Sequence, residues 1–144
     1  MRYLICAFEM TGCREVSNAP YTVNLGISAE VTERIIPLSR VQNSLYETEE
    51  NDVFISIPAL FRHYHATPHG LLLKRSVSPA CFTRKITLLT PKIEKDLEIP
   101  EENVHSLPDV FSGPFVFFKG VFFGTNEKTP VFIVNPEKLT ECIK

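Results

Sequence analysis

Three histidines fall within one short polar stretch, His63, His65 and His69 in HYHATPH, and they are the first candidates for chemistry in this chain. Histidines at i and i+2 share a face only on an extended segment, and a third could fold back through Pro68 to complete a zinc-type set. A helix opening at Pro58 and running through Tyr64 would instead turn His63 and His65 apart, and no carboxylate or cysteine lies nearby in sequence. The pattern therefore reads as a polar turn, with no metal and no cofactor. Cys81 and His69 could be imagined as a thiol and its base, but nothing in the sequence positions them. No nucleophile elbow, His-Glu-x-x-His, phosphate loop or dinucleotide glycine fingerprint is present, so no enzyme class is indicated. Glu101 and Glu102 read as a solvated turn between strands. Phe115, Phe117, Phe118, Phe122 and Phe123 could stack nucleic-acid bases, yet only Lys119 supplies a cation among them. They read better as a core strand, with Phe117 and Phe118 on opposite faces and one face free for a protein partner.

The composition agrees with this exclusion. The chain of 144 residues is 44% hydrophobic and 22% charged with a net charge of -2, which fits one soluble globular domain and disfavours phosphate neutralisation. Nucleic acid is not expected as a partner. Cys6, Cys13, Cys81 and Cys142 are dispersed, with no Cys-x-x-Cys pair, and the apolar opening MRYLICAF is too short for a signal peptide. Reduced thiols, a cytoplasmic location and no membrane insertion are the expectation.

The elements that would position any site are strands. Tyr3 to Phe8 is a continuous apolar run suited to burial on both faces. Tyr21, Val23, Leu25 and Ile27 alternate as a half-buried strand, and Val31 to Pro37 follows after a Ser28-Ala29-Glu30 turn. Gly12 to Pro20 and Ser76 to Arg84 read as loops. Val53 to Ile57 forms a strand before a short helix at Pro58, and Leu71 to Leu73 forms another. Ile86, Leu88 and Leu89, then Ile93, Leu97 and Ile99, give two runs of strand length separated by Pro91. FVFFKGVFF and VFIV form a hairpin across the polar tract from Gly124 to Thr129. Gly120 within that apolar strand signals a bulge or a close backbone approach. Asn135, Pro136 and Glu137 then compose a helix start, with Leu139 and Ile143 inward.

This order of parts resembles the CheW-like family, adaptor domains that join bacterial chemoreceptors to their histidine kinase. The resemblance rests on the acidic turn IPEEN, on Leu107-Pro108, on a strand carrying Lys119-Gly120 and above all on VFIVNPEKL. Val31-Thr32-Glu33 with Ile35 and Ile36 is similar to the family's Val-x-Glu strand, and VFISI with Pro58 is similar to its buried strand and short helix. The chain departs from the pattern between Leu38 and Asp52. There the family's Arg-Gly is missing, and Thr48 and Glu49 of the acidic run ETEEND stand near its place.

The resemblance implies an all-β chain, 1–144 as a single domain, built of two small five-stranded β-barrels side by side with one or two short helices including a C-terminal one. It implies a non-enzymatic scaffold whose partners are a chemoreceptor tip and a histidine-kinase regulatory domain, and the dispersed cysteines with no ligand-spaced cluster predict a metal-free monomer or weak oligomer. Partner contacts would then fall on Val31, Glu33, Ile35, Phe54 and Ser56. Two other readings stay open: a divergent module that has lost one partner, and a small barrel that binds a ligand or metal.

Overall fold

The computed structural model describes residues 1–10, 21–37, 52–61, 67–107, 116–124 and 130–141. Ten strands organise these residues: β1 (Arg2–Met10), β2 (Tyr21–Ser28), β3 (Thr32–Pro37), β4 (Val53–Ser56), β5 (His69–Leu73), β6 (Ile86–Thr90), β7 (Lys92–Glu98), β8 (Val104–Ser106), β9 (Phe118–Phe122) and β10 (Val131–Val134). Three short helices accompany them: α1 (Ile57–Leu60), α2 (Pro79–Thr83) and α3 (Pro136–Glu141). The strands pair into a six-stranded sheet ordered β7-β1-β2-β10-β9-β8 and a four-stranded sheet ordered β3-β5-β6-β4. The all-β class with two β units is what is found, and where two five-stranded barrels were expected the described strands divide into a six-stranded and a four-stranded sheet.

One of the crossings between the sheets is set by a single residue. β6 and β7 are nearly continuous, but Pro91 between them has no N–H to give a ladder, and the chain changes sheets there. The Thr90 hydroxyl, fully buried, donates to the Lys92 carbonyl across this corner at 3.3 Å.

β1 shows why a continuous apolar run was needed. Leu4, Cys6 and Phe8 face a main core that also receives Ile57, Leu71, Leu73, Ile86 and Leu88 from the four-stranded sheet and α1, so this core lies between the sheets. Tyr3 and Ile5 point the other way, into a second cluster with Ile99, Val131 and Ile133. Leu97 of β7 and Val104 of β8, on opposite edges of the six-stranded sheet, both pack on that second cluster, so the sheet curls around it. A line of rings ties the main core together: Phe8 to Phe61 at 5.3 Å, Phe61 to Phe118 at 5.9 Å and Phe118 to Phe132 at 5.5 Å.

Three local expectations need correction. Ser76 to Arg84 is not a loop: a 3-10 turn over Arg75–Val77 and then α2 occupy it, and Pro79 sits in the first helical turn, where its missing N–H costs nothing. The helix at Pro58 ends by Leu60, where Phe61 N–H donates to the Pro58 carbonyl at 3.0 Å. Phe117 and Phe118 do not face opposite sides, because β9 begins only at Phe118 and both rings pack on the main core. The closing helix starts as expected, with Lys138 N–H donating to the Asn135 side-chain oxygen at 3.3 Å and Leu139 buried. Gly12 to Pro20, His63, His65, ETEEN, Phe115 and Ile143 lie outside the described residues.

Candidate functional site

The link from β2 to β3 carries the chain from the six-stranded sheet to the four-stranded one, and it is a 3-10 turn over Ala29–Val31. Ser28 closes the turn twice. Its hydroxyl accepts from Glu30 N–H at 3.2 Å, and its carbonyl accepts from the Thr32 hydroxyl at 3.2 Å. Val31 is then tied to the end of β5 by Lys74 N–H donating to its carbonyl at 2.9 Å.

β3 begins with a bulge. Thr32 pairs with Leu73 and Arg34 with Leu72, so Glu33 is an extra residue with no opposite number. The regular alternation of a half-buried strand is lost there, and Glu33, Arg34 and Ile35 are exposed in succession. Ile35 stands opposite the fully buried Leu71 yet is 47% exposed, because β3 is the terminal strand of its sheet among the described residues.

Two recesses open on either side of this strand start. One, of about 340 Å³, lies between the sheets and is lined by Ser28, Glu30, Val31, Lys119 and Asn135 among others. The second, of about 350 Å³, is lined by Glu33, Arg34, Arg75 and Lys85, with Leu72, Leu73 and Cys81 behind them. Val31 and Glu33, two residues apart, thus serve different concavities.

Phe54 and Ser56 lie elsewhere. They are on β4, the opposite edge of the four-stranded sheet, three strand spacings or about 14 Å from β3. Both are half-buried, Phe54 paired with Thr87 and Ser56 with Leu89. Four of the five expected contact residues therefore lie on two edges of one sheet, with Val31 in the turn that leads into β3, and the five do not form a single patch.

Arg75 and Lys85 were not among the residues expected from the sequence. The signal for them was charge distribution: residues 53–93 contain six of the fifteen Lys and Arg and none of the seventeen Asp and Glu. His69 lies on β5, half-buried, and among the described residues no three His, Cys, Asp or Glu side chains come together as a metal set. Cys81 is buried beneath the second recess, and its sulfur lies 3.6 Å from the Ser78 hydroxyl oxygen. His69 is on a strand and Cys81 on α2, with no contact of catalytic type between them among the hydrogen bonds of the described residues. Phe123, 61% exposed, tilts against His105 at 6.0 Å, the one ring of its run standing well out in solvent among the described residues. No helix among the described residues is long and apolar enough to cross a membrane.

No protein-family model matches the chain, and no curated protein matches it either. A solved structure does: the scaffolding protein TtCheW from Thermoanaerobacter tengcongensis superposes with a TM-score of 0.59 at 10% sequence identity, over 96% of this chain and 86% of that one. The curled six-stranded sheet, the smaller sheet beside it and the closing helix are together the CheW-like fold, and the chain adopts that fold.

Proposed function

We propose that this chain is a non-enzymatic signalling scaffold that works in the cytoplasm by holding a chemoreceptor tip and a histidine-kinase regulatory domain together. The observation that carries the reading is the CheW-like fold over almost the whole chain. The bulged edge strand β3 supports it, since it presents Glu33, Arg34 and Ile35 outward between two recesses on a rigid two-sheet frame. Phe54 and Ser56 on the far edge offer a separate contact for a second partner. A scaffold needs this separation, because two partners held at once cannot share one patch.

A second reading follows from the acidic run at the place of the family's Arg-Gly. Glu47, Glu49, Glu50 and Asp52 would repel an acidic partner patch, so the chain would keep one partner and lose the other. One experiment separates the two readings. A receptor-tip fragment is immobilised, and a kinase regulatory domain from the same genome is passed over it with and without this chain. Retention of the kinase domain only in the chain's presence supports the bridging scaffold; binding of one of the two alone supports the one-partner module. Binding of neither overturns both.

A further inference from the structure

We propose that the cleft between β3, the 3-10 turn at Arg75 and Lys85 is a docking site for an acidic segment of a partner protein. The inference rests on the reading of this chain as a protein-binding scaffold and names the chemistry of one partner. Arg34, Arg75 and Lys85 line the cleft against a single carboxylate, Glu33, and all three cations are exposed. Among the described residues none of the three has a carboxylate within ion-pair distance. The ion pairs found there lie on the other sheet: the Met1 ammonium with Glu98 at 2.7 Å, Arg2 with Asp96 at 3.5 Å, and Lys92 with Glu94 at 3.6 Å.

The cleft is the concave part of a larger asymmetry. With six cations and no carboxylate in residues 53–93, the strands β4, β5 and β6 come from a stretch of formal charge +6 in a chain whose net charge is -2. A positive recess in a low-dielectric wall, here the buried Leu72 and Leu73, concentrates field lines and draws anionic groups. Two of its three cations are arginines, whose planar forks take a carboxylate with two parallel hydrogen bonds.

The scaffold reading makes the occupant a segment of another protein. The carboxylates at 94, 96 and 98, along β7, already have cationic partners within the chain, so a second copy would have to supply its acidic run Glu47, Glu49, Glu50 and Asp52, an outcome that the dimer arm of the test reads. A volume of about 350 Å³ admits a few side chains, not a folded element. The occupant is a short run carrying at least two carboxylates, beside the exposed Ile35.

The test uses the full chain and a fluorescein-labelled twelve-residue peptide of alternating Glu and Ser, read by fluorescence polarisation, with its Gln-for-Glu twin as control. The native chain should bind the acidic peptide at least tenfold more tightly than the twin. The double variant Arg34→Glu/Arg75→Glu should lose at least tenfold in affinity with an unchanged thermal midpoint, and Arg34→Gln/Arg75→Gln should lose less. Binding that ignores these substitutions, or that the Gln twin matches, overturns the proposal. So does full displacement by inorganic phosphate at millimolar concentration, which would make the cleft a small-anion site. A midpoint lowered by both double variants would assign the cations to internal pairing, and native dimers that dissociate on charge reversal would assign the cleft to a second copy; each overturns it. If the charge-reversed chain still bridges the receptor tip and the kinase domain with native strength, the cleft fails while the scaffold reading stands. Peptide binding lost on reversal in a chain that bridges nothing supports the cleft and sinks the scaffold reading.

Discussion

The Thr140 hydroxyl oxygen lies 2.7 Å from that of Ser78, both residues buried and 62 positions apart in the chain. Each hydroxyl has one proton. Thr140 also donates to the Glu137 carbonyl at 2.9 Å, and Ser78 is 3.6 Å from the Cys81 sulfur. All groups are satisfied if the Cys81 thiol donates to Ser78, Ser78 to Thr140 and Thr140 to Glu137. This chain of bonds pins α3 to the segment that precedes α2.

Thr140→Val keeps the shape and removes the link, leaving a buried hydroxyl at Ser78 with only sulfur beside it. A loss of about 1–3 kcal/mol in unfolding free energy is expected, read from denaturant midpoints. The double variant Thr140→Val/Ser78→Ala should recover part of that loss, because no buried donor is then stranded.

Gly120 is expected to matter for folding and not for binding. A Cβ there would come within 2.6 Å of Val104 Cγ1 and 2.7 Å of the His105 carbonyl oxygen on β8. A side chain can move aside, but the His105 backbone is held in the β8–β9 ladder. Gly120→Ala should cost about 1–3 kcal/mol as an overpacking change, and Gly120→Val more. A normal thermal midpoint with lost partner binding would reverse this assignment.

These two sites mark what the sequence could convey. The close approach at Gly120 was legible, since a lone glycine in an aromatic strand has few other uses. The strand run of β1, the turn at Ser28 and the cap at Asn135 were legible too, because each depends on neighbouring residues alone. The docking of Ser78 on Thr140 was not, as it joins residues far apart in sequence through hydroxyls that carry no periodic signal. The same holds for the candidate site. Val31, Glu33 and Ile35 read from the sequence as a pattern on one strand, but Val31 belongs to the 3-10 turn before it and the bulge that exposes Glu33 depends on pairing with β5. The cleft wall from Arg75 and Lys85 depends on three separate segments meeting.

The thiol of Cys6 gives a pH test. Burial pushes it up to about 12 from an ordinary value of 9.0, partly countered by a hydrogen bond with Thr90. In the unfolded chain the proton leaves as pH passes 9, while the folded chain keeps it, so unfolding is favoured as pH rises from about 9 to 12. The full contribution is present below pH 9 and lost across that window, with a limiting slope of about 1.4 kcal/mol per pH unit. Cys6→Ala should lower stability at pH 7 through the lost packing and flatten the decline above pH 9 relative to the native chain. An unchanged slope would mean that Cys6 is not the titrating group. Alkylation at pH 8, read by mass spectrometry, should also leave Cys6 unmodified until the chain unfolds.

If the bulged edge of β3 grips a protein partner, calorimetric titration of the chain with a receptor-tip fragment and with a kinase regulatory domain will show it. Glu33 and Ile35 are exposed, so Glu33→Lys and Ile35→Asp should leave the thermal midpoint within about a degree or two, as surface substitutions do. At least one of the two partners should bind the native chain, and Ile35→Asp should weaken that binding about tenfold or more, equivalent to about 1.4 kcal/mol; Glu33→Lys should change it by as much, downward for a partner without an acidic segment and upward for one that puts an acidic segment in the cleft that Glu33 lines. Binding by neither partner, or native affinity retained in both variants, would contradict a grip by β3.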